Sequence, residues 1–147
     1  MADVQKSVLI GYSDQQMYAL VTKVDAYPQF LPWCSGVDII TQSESLLEAR
    51  LHIHFKGIQA FFHTRNMQQC PHRIDMAFVD GPFKKFYGSW VFTALREDAC
   101  KIEFHLHYAF SSIIFEKIVG PVFAIIANTF VDSFVKRANA IYGGRLQ

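Results

Sequence analysis

The stretch 101-KIEFHLHYAFSSIIFEKIVGPVFAIIANTFVDSFVKRANAIY-142 decides the fold, because its apolar period changes once, from two residues to 3.6. In residues 101–110, Ile102, Phe104, Leu106, Tyr108 and Phe110 share one phase, and Lys101, Glu103, His105 and His107 share the other. That is a strand with one apolar and one wet face. From residue 112 to 142 the period is helical, and at 100° per residue Phe115, Val119, Val122, Phe123, Ile126, Phe130, Phe134 and Ile141 fall within a sector of about 120°. Such a face can lie along a sheet. Gly120-Pro121 predicts a kink there, or a helix start after a short first piece. On the other side Ile118, Ile125, Val131 and Val135 lie among Lys117, Asn128, Asp132 and Asn139, which leaves outward apolar area for a partner or a membrane surface.

Upstream, the period of two extends from Ser35 to about Ser111, with turn signals at 42–45, 56–57, 71–72, 80–82 and 96–98, which predicts six consecutive antiparallel strands. Strand 46–55 repeats the alternation with Leu47, Ala49, Leu51, Ile53 and Phe55, and strand 85–94 with Phe86, Gly88, Trp90 and Phe92. Residues 4–11 read as a first strand. A capping box at Ser13 and Gln16 then opens a short helix with Met17, Leu20, Val21 and Val24 on one stripe. Pro28 and Pro32 restrict residues 25–34 to one or two tight helical turns presenting Tyr27, Phe30, Leu31 and Trp33. The order strand, short helices, six strands, long helix predicts an α+β grip: a seven-stranded antiparallel sheet covered by one terminal helix, with a cavity between them.

Composition agrees with one compact core. The 147 residues are 51% hydrophobic and 18% charged, with 14 Phe, so the chain has rings to bury and no disordered character. A net charge of +1 supplies no field for DNA or a general RNA stripe. The longest charge-free apolar stretch, Ile118 to Val131, is shorter than the roughly 20 residues that cross a bilayer, and residues 1–4 do not read as a secretion signal, so none is expected. A cytoplasmic location is expected.

Few residues point to chemistry. Cys34, Cys70 and Cys100 form no Cys-x-x-Cys pattern, and neither Cys34 nor Ser111-Ser112 sits in a nucleophile elbow. His52-x-His54 and His105-x-His107 have chelating spacing, but each pair lies on the wet phase of its strand. Four strand spacings would hold the two pairs ~19 Å apart. No catalytic or metal residue is expected. Lys84-Lys85 with Arg73 and Lys56, and Lys136-Arg137 with Arg145, form at most small basic edges.

Four segments carry a family resemblance: Val24-Asp-Ala-Tyr-Pro-Gln-Phe-Leu-Pro-Trp-Cys34, Asp80-Gly-Pro-Phe-Lys-Lys-Phe-Tyr-Gly-Ser-Trp-Val-Phe92, residues 100–110, and Phe134-Val-Lys-Arg-Ala138. They resemble the coenzyme Q-binding, START-like family of the polyketide cyclase/dehydrase superfamily, in its bacterial ribosome association toxin branch. The likeness covers essentially the whole chain, 1–147, as a single START-like domain. It implies a helix-grip fold: a curved seven-stranded antiparallel sheet wrapped on a long C-terminal helix, with two short helices between strands 1 and 2, around a hydrophobic tunnel. For the respiratory branch it implies non-enzymatic binding of ubiquinone or a related polyisoprenoid lipid in support of respiration, with transient contact at the inner membrane. For the toxin branch it implies binding to the large ribosomal subunit and a block of subunit association. An aromatic polyketide cyclase or dehydratase would need an acid or base facing the cavity, for which Asp75, Asp80 and Glu48 are the strand candidates. The residues expected to hold a ligand are Phe30, Trp33, Leu51, Ile53, Phe83, Trp90, Phe92, Phe104, Tyr108, Phe123, Ile126 and Phe130, with Phe30, Trp33 and Phe83 covering the mouth.

Overall fold

The computed structural model describes residues 2–143, so Arg145 lies outside the described residues. The elements are β1 (Ala2–Ile10), α1 (Asp14–Thr22), a 3-10 turn (Val24–Ala26), α2 (Tyr27–Phe30), β2 (Cys34–Gln42), β3 (Leu46–Phe55), β4 (Ile58–Gln69), β5 (Arg73–Asp80), β6 (Phe83–Arg96), β7 (Ala99–Phe110) and α3 (Ile113–Tyr142). The seven strands form one antiparallel sheet in the order β1-β7-β6-β5-β4-β3-β2. Chain neighbours are therefore sheet neighbours except β1, which crosses to pair with β7 and sets Val4 opposite Leu106.

Local chemistry accounts for the punctuation. The Ser13 hydroxyl accepts from Gln16 N–H at 3.1 Å and the Gln16 side chain accepts from Ser13 N–H at 2.9 Å, so the capping box is closed in both directions. Each of the five turn signals falls on a hairpin connection. The two-residue turn at Lys56-Gly57 has φ of 51° and 80°, the doubly positive geometry whose twist matches the flanking strands, and glycine takes the second position without steric cost.

The inner phase carries the core. Leu47, Ala49, Leu51 and Ile53 of β3 are buried, as are Ile102, Phe104, Leu106 and Tyr108 of β7. In β6 a register shift between Phe83 and Lys85 inserts an extra residue, so Phe83 and Phe86 face inward despite their odd spacing. The outer phase is tied by cross-strand pairs: His52 to Asp38 at 2.7 Å, His63 to Glu48 at 2.8 Å, and His105 and His107 to Asp3 at 2.6 and 3.3 Å. The hydrogen bond from His105 is the main reason that the Asp3 carboxyl sits below its ordinary value. Burial pushes Glu48 up, but Arg65 and His63 together outweigh it and leave the carboxyl lowered.

α3 differs from the sequence expectation in three respects. It is one helix from Ile113 to Tyr142 with Pro121 inside it, not a short piece followed by a new start. Phe115 is 44% exposed and Ile141 45%, although both fall in the apolar sector. The helix is ~45 Å long, and its buried residues run only from Val119 to Ala138, so both ends overhang the core. Val131, expected to face outward, is 4% exposed. α3 packs against α1 and β1 as well as β4 and β7, so its buried arc is wider than contact with a sheet alone would give. By length and composition α3 as a whole is also apolar enough to cross a bilayer, although its charge-free stretch between Lys117 and Asp132 is shorter than a bilayer span. Its buried column is nonetheless filled by the sheet and α1.

Gly88 sits at the middle of this arrangement. A Cβ there would lie 2.5 Å from Met76 Cε and 2.9 Å from the His105 carbonyl oxygen. Met76 can rotate, whereas the β7 backbone cannot yield without losing pairing. Gly88→Ala is expected to cost about 1–3 kcal/mol, read as a drop of several degrees in melting temperature.

Candidate ligand cavity

A cavity of about 50 Å3 lies between the inner face of the sheet and α3. Its sheet side is made by Leu47, Ala49 and Leu51 of β3, Phe62, Thr64, Asn66 and Gln68 of β4, Ile74 and Met76 of β5, Phe86 and Trp90 of β6, and Phe104 and Leu106 of β7. Phe123, Ile126, Ala127 and Phe130 of α3 form the opposite wall, and Val21, Val24 and Tyr27 complete the lining. One water needs roughly 10–15 Å3 of such space, so the cavity holds about one ring-sized group. A long apolar tail would have to displace side chains.

Six of the expected residues meet here: Leu51, Trp90, Phe104, Phe123, Ile126 and Phe130. The other six lie outside the lining. Ile53, Phe92 and Tyr108 share the inner phase but pack elsewhere in the core. Trp33 and Phe83, read from sequence as covers for an opening, are 3% and 4% exposed. Trp33 leans on Phe62 and Phe130 at centroid distances of 6.3 and 6.2 Å, and Phe83 on Phe110 and Phe123 at 5.0 and 4.9 Å. Phe30 lies against Phe134 at 5.2 Å and beneath the Arg137 guanidinium, which also donates to the Gln29 side chain at 3.0 Å.

The lining residues that the sequence pattern did not bring out are Phe62, Ile74, Met76 and Ala127, together with the polar run Thr64, Asn66 and Gln68. These three continue the phase of Phe62 at every second residue of β4. That continuation of an apolar phase by polar residues was the available signal.

The lining offers little for acid–base work. Its titratable group is Tyr27, whose hydroxyl donates to the Val21 carbonyl and whose burial pushes the phenol well above its ordinary value. The three carboxylates weighed for a cyclase are engaged elsewhere: Asp75 pairs with Arg73 at 2.9 Å, Asp80 accepts from Gly81 N–H at 2.9 Å, and Glu48 binds His63 and Arg65. Burial pushes the Cys34 and Cys100 thiols up to about 11, so both are protonated at neutral pH and poor nucleophiles. Among the described residues no three His, Cys, Asp or Glu side chains are grouped to hold a metal.

The family model described as polyketide cyclase/dehydrase and lipid transport matches residues 10–135. The ribosome association toxin RatA of Escherichia coli K12 is 41% identical over 145 residues, covering 99% of this chain and 92% of that protein. The mitochondrial coenzyme Q-binding protein COQ10 homolog B of Xenopus laevis is 25% identical over 96% of this chain and 59% of its own length. Among solved structures, an 18 kDa protein from Caulobacter crescentus superimposes with a TM-score of 0.72 at 27% identity, covering 97% of this chain and 99% of that one.

The burial of Trp33 gives it a core role. Trp33→Ala is expected to cost about 3–5 kcal/mol, a fall of roughly 10 °C in a thermal melt for a chain of this size. An unchanged melting temperature with faster ligand exchange would instead restore its covering role.

Proposed function

The chain belongs to the polyketide cyclase/dehydrase and lipid transport family, and from that premise we propose that it is a non-enzymatic binder of a hydrophobic small molecule, ubiquinone or a related polyisoprenoid lipid, that supports respiration. The observation carrying this reading is the cavity itself, enclosed between sheet and helix and lined by aromatic and aliphatic side chains apart from three polar residues of β4. Its size fits the ring of such a ligand, and dispersion and area burial at ~25 cal/mol per Å2 supply the affinity. The COQ10 homolog gives the reading a named relative. The engagement of Asp75, Asp80 and Glu48 outside the lining speaks against the cyclase alternative.

Delivery of a lipid needs a surface that touches membranes. Ile113, Ile114, Phe115 and Ile118 of the first turns of α3 are all exposed, as is Ile125. Ser111 N–H donates to the Pro82 carbonyl at 2.9 Å, which brings exposed Lys84 and Lys85 near this end, where Lys117 is also exposed. An apolar patch beside lysines suits weak, reversible attachment to an anionic bilayer surface.

A second reading is favoured by one observation, the 41% identity to a ribosome association toxin across nearly the whole chain. Under it the protein binds the large ribosomal subunit and blocks subunit association.

Native mass spectrometry of freshly purified protein, followed by solvent extraction, is expected to release a stoichiometric hydrophobic molecule. Ala127→Leu, which fills the cavity from the helix side, should lower its occupancy at least tenfold while the fold persists by circular dichroism. Full occupancy in a folded Ala127→Leu protein would place the ligand elsewhere. For the surface, Ile118→Asp with Ile125→Asp is expected to reduce co-sedimentation with anionic liposomes. Should the wild type ignore liposomes and at stoichiometric concentration shift sucrose-gradient profiles from joined ribosomes to free subunits, the toxin reading replaces the carrier reading.

A further inference from the structure

Among the described residues three buried side-chain polar atoms lack a hydrogen-bond partner: Tyr18 Oη, Arg50 Nε and Asn66 Oδ1. Of these residues Asn66 belongs to the cavity lining, and the other two do not. The sheet provides it no partner. Asn66 stands opposite Leu47 on β3 and Met76 on β5, both apolar, so neither neighbouring strand offers a donor across the pleat. Two residues to either side, Thr64 and Gln68 line the same space. The lining thus has a polar pole along β4 and an aromatic pole at Trp90, Phe104 and Phe130.

A buried amide oxygen without a donor destabilises the protein that carries it, and a leucine of similar volume would not. Such a group is accounted for if a ligand supplies the donor. We infer that the cavity selects an amphipathic ligand whose hydroxyl, phenolic or alcoholic, donates to Asn66 while its apolar body lies between Trp90, Phe104 and Phe130. A hydroxyl both donates and accepts, so it satisfies the amide and also takes a bond from Thr64 or Gln68. A ligand whose oxygens only accept, such as an ether or a ring carbonyl, leaves Asn66 Oδ1 unpaired. This inference rests on the reading that the cavity binds a hydrophobic ligand, and it adds that the hydroxylated form of such a ligand is the one retained.

The test titrates the delipidated full-length protein with two pairs of probes, 4-propylphenol against 4-propylanisole and 1-hexanol against hexyl methyl ether, followed by calorimetry. Wild type is expected to bind the hydroxyl member about 5–10-fold more tightly in at least one pair, the aromatic and aliphatic arms telling a phenol from an alcohol. Asn66→Leu should bring the two members of that pair to within twofold of one another, and Asn66→Ala serves the same purpose if the leucine variant does not fold. Persistence of the preference in a folded variant assigns it to the added methyl group and overturns the inference. If wild type binds hydroxyl and ether equally, the inference fails while the hydrophobic-ligand reading stands. If it binds neither member of either pair, both fail together.

Discussion

The structure depends on how three phenylalanines of α3 seat in the aromatic face of the sheet. Phe123 meets Phe83 at 4.9 Å and Tyr108 at 4.8 Å near one end, while Phe130 and Phe134 meet Trp90 at 5.7 and 5.4 Å further along. Rings packed edge to face cannot be compressed as aliphatic chains can, so they set the height of the helix above the strands. Where the facing residues are small, as at Ala49 and Ala127, that height leaves a void. The cavity follows from mixing rigid rings with alanines under one continuous helix.

The wet side of the sheet contributes in a different way. Asp3 bridges His105 and His107 and so links β1 to β7, while Glu48 and Asp38 link β3 to β4 and to β2. The more exposed of these pairs, those of Asp3 and Asp38, carry little net stability, whereas the pair of His63 and Glu48 is mostly buried. Register is set instead by the inner phase, where a slip of one residue would turn Trp90 and Phe104 out to solvent. The pairs select among registers that the core already favours.

Sequence reading reached this architecture because the strands that frame it, β3, β6 and β7, alternate cleanly and the helix has a broad stripe. It failed where tertiary context overrode periodicity. A helical wheel assigns Phe115 and Ile141 inward because it carries no information about where the sheet ends. It assigns Val131 outward because it does not foresee α1 and β1 against the helix flank. The bulge that turns both Phe83 and Phe86 inward adds one residue to a strand without a sequence signature of its own. The stiff segment at Pro28 and Pro32 and the turn at Gly81 marked Trp33 and Phe83 as covers of an opening, yet both are buried among other rings. β4 was the least legible strand, since its inner phase passes from Phe62 to Thr64, Asn66 and Gln68 and apolar alternation fades where the lining becomes polar.

The proposed carrier role places two demands on different sides of one helix. Ligand binding uses the inner residues Phe123, Ile126, Ala127 and Phe130, whereas contact with a bilayer uses the outer residues Ile118 and Ile125 with the overhanging first turns. A single α-helix presents both faces without conflict because positions 118 and 125 recur every seven residues and stay in register with each other, while 123, 126, 127 and 130 recur at three and four on the buried side. Substitutions on either side can therefore separate ligand binding from membrane contact without dismantling the sheet. The same geometry makes the helix a rigid body shared by both surfaces: a ligand that moves Phe123 or Phe130 must shift α3 against the strands or repack the rings that hold it, and a shift of α3 carries the outer patch with it.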